Sequence, residues 1–176
     1  MRTLETKRLI MRAWSMEDAK SLYEYAKHPD VGPHAGWKPH ADIEESKEVL
    51  RDILLPVEAW AVIYKETGEI IGNIALENDR IRPDLLSKEL GYGLKHEWWG
   101  KGIITEASKE VIRYGFEDLK LEVIAIHTSE VNKRSQRVIE KCGFKYEGLL
   151  RNSCRIFTGE KRNSYVFSLL AEEWEK

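Results

Sequence analysis

Cysteine is scarce in this chain, and other features that would mark a secreted, membrane-bound or nucleic-acid-binding protein are also missing. Two cysteines occur, Cys142 and Cys154. That is no disulfide framework, so two reduced thiols in a cytoplasmic compartment are expected. No apolar run approaches the ~20 residues of a membrane span, and residues 1–6 lack the apolar core of a signal peptide. No membrane partner is therefore expected. No segment is strongly basic, and the net charge is −2, so no nucleic-acid partner is expected either. Five prolines and no low-complexity run exclude collagen-like, disordered and repeat-array classes.

What remains is an ordinary folded composition. With 176 residues, 42% of them apolar, the chain can bury a sizeable core as a single domain, residues 1–176. Periodicity predicts strands over residues 8–12, 59–64, 70–76, 88–95, 122–128, 146–157 and 163–170. It predicts helices over residues 15–27, 42–55, 102–119 and 132–142. Pro56 stops the second helix and Gly143 closes the fourth. Gly91 and Gly93 fall inside a strand, where glycine marks a bulge or a close approach of another chain segment. Residues 31–41 read as a loop carrying Trp37 between His34 and His40, a candidate lid. The element order implies an α/β fold with a mixed sheet and helices packed on it.

Two helix starts draw attention. Trp98-Trp99-Gly100-Lys101-Gly102-Ile103-Ile104-Thr105-Glu106-Ala107 turns from a strand into the clearest helix. Glycines permit a tight turn and bring bare N–H groups near a ligand. The helix adds unpaired N–H groups and the positive end of its dipole. Together they suit a phosphate, although an ordinary connection has the same appearance. The turn lacks the Gly-Lys-Ser/Thr ending of a Walker loop and the three spaced glycines of a dinucleotide fingerprint. The second start is Asn132-Lys133-Arg134-Ser135. Asn132 is a good N-cap and Ser135 is unremarkable in a first turn, but both helix starts follow strands and can face one edge of the sheet. His34 and His40 lack the further ligands of a metal site, so no metal is expected.

Gly100-Lys101-Gly102 with Thr105-Glu106-Ala107, and Asn132-x-x-Ser135-x-x-Val138 running to Gly143-Phe144, resemble the GNAT superfamily of N-acetyltransferases. Leu4-Glu5-Thr6-Lys7-Arg8-Leu9-Ile10-Met11-Arg12, Ile71-Gly72, Glu89-Leu90-Gly91-Tyr92 and Glu147-Gly148 are similar to the branch of ribosomal-protein N-terminal-alanine acetyltransferases. The resemblance spans nearly the whole chain. It implies a GNAT fold with central strands that splay apart, and acetyl transfer from acetyl-CoA to a primary amine. A protein N-terminal amine is the first substrate class and a small amine such as a polyamine, amino acid or antibiotic the second. A non-catalytic CoA-binding module is the rival of another class, and a homodimer is compatible with the resemblance.

The resemblance also assigns roles. The backbone of Trp99, Gly100, Lys101, Gly102, Ile103 and Ile104 would cradle the CoA pyrophosphate. Family members carry Gln or Arg where Trp99 stands, and Gly or Ala where Ile104 stands. The backbone of Leu94 would pair with the pantetheine, and Asn132 would bond the pantetheine or a water. The usual Tyr acid is replaced by Ile139, and Ser135 matches the proton donor of the ribosomal branch. A later acid of that branch matches Cys154. An amine is protonated near neutrality, so a base is useful. Glu89, beside the expected cleft, is the first candidate, with a solvated ion pair as the bland alternative. Backbone N–H groups near Tyr92 would face the oxyanion, and Tyr92 and Trp37 would contact the amine substrate.

Overall fold

The computed structural model describes residues 1–174. Leu4–Glu5 (β1) and Leu9–Ala13 (β2) open the sheet. A 3-10 turn, Met16–Asp18, leads into helix α1, Ala19–Ala26. The Asp18 carboxylate accepts the Ser15 N–H at 2.9 Å and is gripped by Arg12 at 2.7 and 2.8 Å, which fixes the helix start predicted at Ser15. Residues 31–41 are not the open loop expected. Val31–Ala35 forms a short helix, α2, closed by Gly36 at φ +93°. α3, Ile43–Val49, is capped by Asp42 and widens into a π turn at Leu50–Leu54.

The remaining strands are β3 (Glu58–Tyr64), β4 (Ile70–Asn78), β5 (Ser87–Leu94), β6 (Val123–Ser129), β7 (Lys145–Arg155) and β8 (Lys161–Leu170). Helices α4 (Ile103–Glu117) and α5 (Lys133–Lys141) follow β5 and β6. The eight strands form one sheet in the order β1-β2-β3-β4-β5-β6-β8-β7. Every pairing is antiparallel except β5 with β6.

Alternating side chains feed two apolar layers. Trp60, Val62, Ile74, Leu76, Leu90 and Leu94 face α4, whose Ile103, Ala107, Val111 and Ile112 are buried. Ala59, Ala61 and Ala75 face α1 and the α3 segment, against Leu22, Tyr25, Leu50 and Leu54. Small residues on the second face let those helices sit close. Burying a large aliphatic side chain contributes roughly 1.5–3 kcal/mol, so both faces favour one register over a slip that would exchange them.

Pairing between β5 and β6 lasts three residues, Ser87 to Glu89 against Val123 to Ala125. Beyond Glu89 the strands part. β5 stays on β4 through Leu94, while β6 stays on β8 through Ser129. This split in the middle of the sheet positions the site.

Candidate active site

A cavity of about 320 Å³ fills the split between β5 and the starts of α4 and α5. That lies at the low end of typical ligand pockets. Its floor includes Tyr92, Gly93 and Leu94; one side carries Trp99, Gly100, Gly102, Ile103 and Ile104; the opposite side carries Asn132 and Ser135; Trp37 and His34 close over one end. Most of the residues selected from sequence are thus brought together. Lys101 and Glu89 are not among the lining residues.

Two glycines shape the turn before α4. Gly100 has φ +77° and Gly102 φ +74°, a left-handed conformation that costs other residues ~1–2 kcal/mol. The turn therefore presents successive N–H groups on one side, a concavity suited to an anion, and α4 adds its own first N–H groups. An anchor holds this turn. The Glu106 carboxylate, in the first turn of α4, accepts Thr6 Oγ1 at 2.5 Å, the Arg8 N–H at 2.9 Å and Arg8 Nε at 2.7 Å. Partial burial pushes its pKa up, but these bonds outweigh it and hold Glu106 below the usual carboxylate range. Arg8 also donates to the Lys101 carbonyl at 3.1 Å. The Lys101 ammonium lies 4.8 Å over the Trp98 ring.

The electrostatics were only half legible from sequence. Arg134, Arg137 and Lys141 line the cavity from one face of α5, at helical spacings of three and four. Among the described residues, no Asp or Glu lines it. Arg134 sits 4.7 Å over the Trp99 ring, so the two walls meet in a cation–π contact. The i, i+3, i+7 basic stripe was a readable signal, but Asn132 and Ser135 drew the attention in that helix.

Register explains β5. The Lys95 N–H donates to the Ile71 carbonyl at 2.7 Å. Antiparallel bonding alternates, so the main-chain groups of Leu94 and Tyr92 turn away from β4, toward the gap left by β6. The Leu94 carbonyl there accepts the Trp99 indole N–H at 2.9 Å, and the Leu94 N–H points into the gap. The glycines of β5 mark no bulge, since its pairing with β4 is unbroken. Only Gly93 marks a close approach, and to a side chain rather than a backbone: a Cβ there would lie 2.7 Å from Asn73 Oδ1, the atom that accepts the Tyr25 hydroxyl at 3.0 Å.

Ser135 is buried at 9% exposure. Its N–H donates to Asn132 Oδ1 at 3.2 Å, and its Oγ lies 2.9 Å from the Tyr92 hydroxyl. Asn132 is thus the N-cap of α5, as the plainer reading held, and it also reaches the His34 carbonyl at 3.5 Å. Burial drives the Tyr92 phenol well above its ordinary range, with the Ser135 bond opposing. Ile139, the position that the resemblance matches to a Tyr acid, is 1% exposed. Tyr92 reaches Ser135 from the strand instead. Trp37 is half-buried rather than free: its ring would lie 2.5 Å from a Cβ on Gly32, and it tilts against His40 at 5.4 Å. His40 is buried against Ser46 Oγ at 2.8 Å, and His34 meets the Trp99 ring edge-on. Cys154 is exposed on β7.

Glu89 lies across the sheet from Ser135. Leu90, Tyr92 and Leu94 point toward α4 and α5, so Glu89, Gly91 and Gly93 point to the other face. Bare backbone therefore joins Glu89 to Gly93 in the cavity wall. Glu89 Oε1 lies 3.5 Å from His127 Nδ1 on β6. Burial raises the Glu89 pKa, His127 opposes it, and Glu77 and Asp79 add to it. Among the described residues, one group of three ligand-type side chains, His28, Asp30 and His96, comes within 4.8 Å. The two imidazoles stack at 11° with centroids 4.5 Å apart, and meet face to face rather than converging on one point.

The parted sheet, the glycine turn before α4 and the Tyr92–Ser135 hydroxyl pair thus meet at one cavity. The sequence model of the Acetyltransferase (GNAT) domain family matches residues 8–145, and the chain belongs to that family. It is an acetyltransferase with an α/β fold. Among relatives, it is 34% identical to the uncharacterized N-acetyltransferase p20 of Bacillus licheniformis, covering 99% of each chain. It is 30% identical to the [ribosomal protein uS5]-alanine N-acetyltransferase of Escherichia coli, covering 60% of this chain and 54% of that one. A GNAT-family acetyltransferase structure from Bacillus anthracis superposes with a TM-score of 0.87 at 23% identity, over 98% of this chain and all of the other.

Proposed function

We propose that this enzyme transfers the acetyl group of acetyl-CoA to a primary amine, with a protein N-terminal α-amine as the preferred acceptor. One observation carries the cofactor reading. The cavity wall combines two left-handed glycines at a helix start with Arg134, Arg137 and Lys141, and no carboxylate. A polyanionic ligand fits that wall, and an uncharged or cationic one does not. The backbone of Trp99, Gly100, Gly102, Ile103 and Ile104 holds the pyrophosphate, with Lys101 completing the turn. The Leu94 N–H and Asn132 hold the chain that leads to the thioester. The acceptor class rests on the named activity of the Escherichia coli relative.

Bound in this way, acetyl-CoA supplies a thioester carbonyl open to attack by a neutral amine. The main-chain N–H group of Tyr92, turned into the gap, donates to the oxyanion. Ser135 delivers a proton to the departing sulfur and draws on the Tyr92 hydroxyl at 2.9 Å. Glu89 takes the proton from the ammonium on the opposite face of the sheet. Trp37 and Tyr92 shape the space that the acceptor enters. Ser135→Ala removes the proton donor and nothing from the cradle. General acid catalysis contributes about 10²–10⁴-fold, so kcat should fall at least about a hundredfold with KM for acetyl-CoA unchanged. An unchanged kcat would remove Ser135 from the mechanism.

A further inference from the structure

The carboxylates near the mouth of the sheet split are not alike. Asp79 and Glu147 share Arg82, which donates to Asp79 Oδ2 at 3.1 Å and also pairs with Glu147. Glu147 additionally accepts the Ser168 hydroxyl at 2.8 Å. Glu89 has a different partner, the imidazole of His127. The pair stands where β5 and β6 stop pairing, since Glu89 is opposite Ala125, and His127 is two residues further along the same face of β6. The Nε2 atom of His127 is buried and has no hydrogen-bond partner among the described residues, which is uncommon for a native side chain.

We propose that His127 is a positioning residue for the base: its Nδ1, 3.5 Å from Glu89 Oε1, holds that carboxylate at the opening of the split. This rests on the acetyl-transfer reading above. One N–H proton of the ammonium passes to Glu89 and on to solvent. The N–C bond forms and the C–S bond breaks. The tetrahedral intermediate sheds a second N–H proton as it collapses to the amide, and that proton balances the one that Ser135 delivers to sulfur. His127 and Arg80 favour the ionised form of Glu89, against its burial and against Glu77 from β4 and Asp79 beyond it. On β8, Val166 lies opposite His127 and Ser168 opposite Ala125.

The sign of the pH effect follows. Glu89 must be ionised to accept a proton, and His127 draws its pKa down. His127→Gln should therefore move the acidic limb of the kcat–pH profile to higher pH and lower kcat about tenfold or more near neutrality. Affinity for acetyl-CoA should not change. Glu89→Gln should abolish that limb, and the double variant should be no worse than Glu89→Gln, because the two act as a unit. A His127→Gln profile superposing on wild type, or losses that multiply in the double variant, would overturn the proposal. Carbon-13 titration of the Glu89 carboxyl in the resting protein supplies a readout independent of turnover. His127→Gln should raise its midpoint, and an unmoved midpoint overturns the pairing even in an active enzyme. Absence of turnover by wild type with every amine, alongside a raised midpoint, would fail the acetyl-transfer reading and leave the pair intact as structure only, which overturns its role as a base.

Discussion

Replacing Gly102 by Asp tests the anion cradle with a magnitude that can be worked from the structure. Gly102 has φ +74°, and a Cβ there would meet only Arg8 Nη2, at 3.7 Å. Space is therefore available, and the backbone strain of ~1–2 kcal/mol is the main folding cost. For a protein of this size that lowers Tm by roughly 2–8 °C. Gly102→Ala carries the same strain without charge, and so isolates it. The aspartate adds a negative charge within a few ångströms of the phosphate position. Two unit charges 4 Å apart repel by about 1 kcal/mol in water and about 4 kcal/mol near a protein surface. Since Gly102 is exposed, the effect lies between these limits, about fivefold to a thousandfold in affinity. Arg8 nearby offsets part of it. Titration calorimetry with acetyl-CoA should show Gly102→Ala binding within a few-fold of wild type and Gly102→Asp far weaker, with similar Tm values for the two. Equal affinities for Asp and Ala variants would refute the placement of the phosphates at this turn.

Other consequences follow from single contacts. Glu106→Gln should weaken the anchor of the turn by about 1–2 kcal/mol, a discounted figure for a charged hydrogen-bond cluster that is partly exposed. Because the folded pKa of Glu106 lies below its ordinary value, the wild-type advantage is present above the ordinary Glu range and vanishes as pH falls through the folded pKa; urea unfolding at pH 7 and pH 3 checks this. Gly72→Ala sets a Cβ 2.3 Å from the Gly93 carbonyl, a backbone atom that cannot swing aside. A loss of ~3 kcal/mol or more is expected, and a variant within 1 kcal/mol of wild type by chemical denaturation would contradict the β4–β5 register. Arg137→Ala should raise KM for acetyl-CoA about tenfold with kcat retained, an effect that shrinks at high salt.

Periodicity located the elements that have strong patterns. α4 carries an apolar stripe of Ile104, Ala107, Val111 and Tyr114 that survives into the structure, and β3 to β6 fall within two residues of their expected bounds. What was missed is short or non-local. β1 has two residues, and α2 is a five-residue helix whose sequence, Val-Gly-Pro-His-Ala, has poor helix formers. It exists because Trp37 packs on Gly32 and because Arg162 donates to the Pro33 carbonyl at 2.6 Å, a partner 129 positions away. The site was legible in its glycines and in Ser135, since turn chemistry is local. The Tyr92–Ser135 contact, the Trp99 bond to Leu94 and the Glu89–His127 pair were not. Each depends on which face a residue takes and where two strands part, and one-dimensional spacing does not encode that. Facing also sets Glu89 on the side of the sheet opposite Ser135, which spacing alone does not reveal.

The central claim is that the cavity binds acetyl-CoA and passes its acetyl group to an amine. Thiol release from acetyl-CoA, followed continuously with a panel of N-terminal-alanine peptides, other N-terminal peptides and small amines, tests it most directly. The account predicts amine-dependent thiol release, strongest with a peptide α-amine and lost in Ser135→Ala. Tight acetyl-CoA binding with no thiol release from any amine would contradict it.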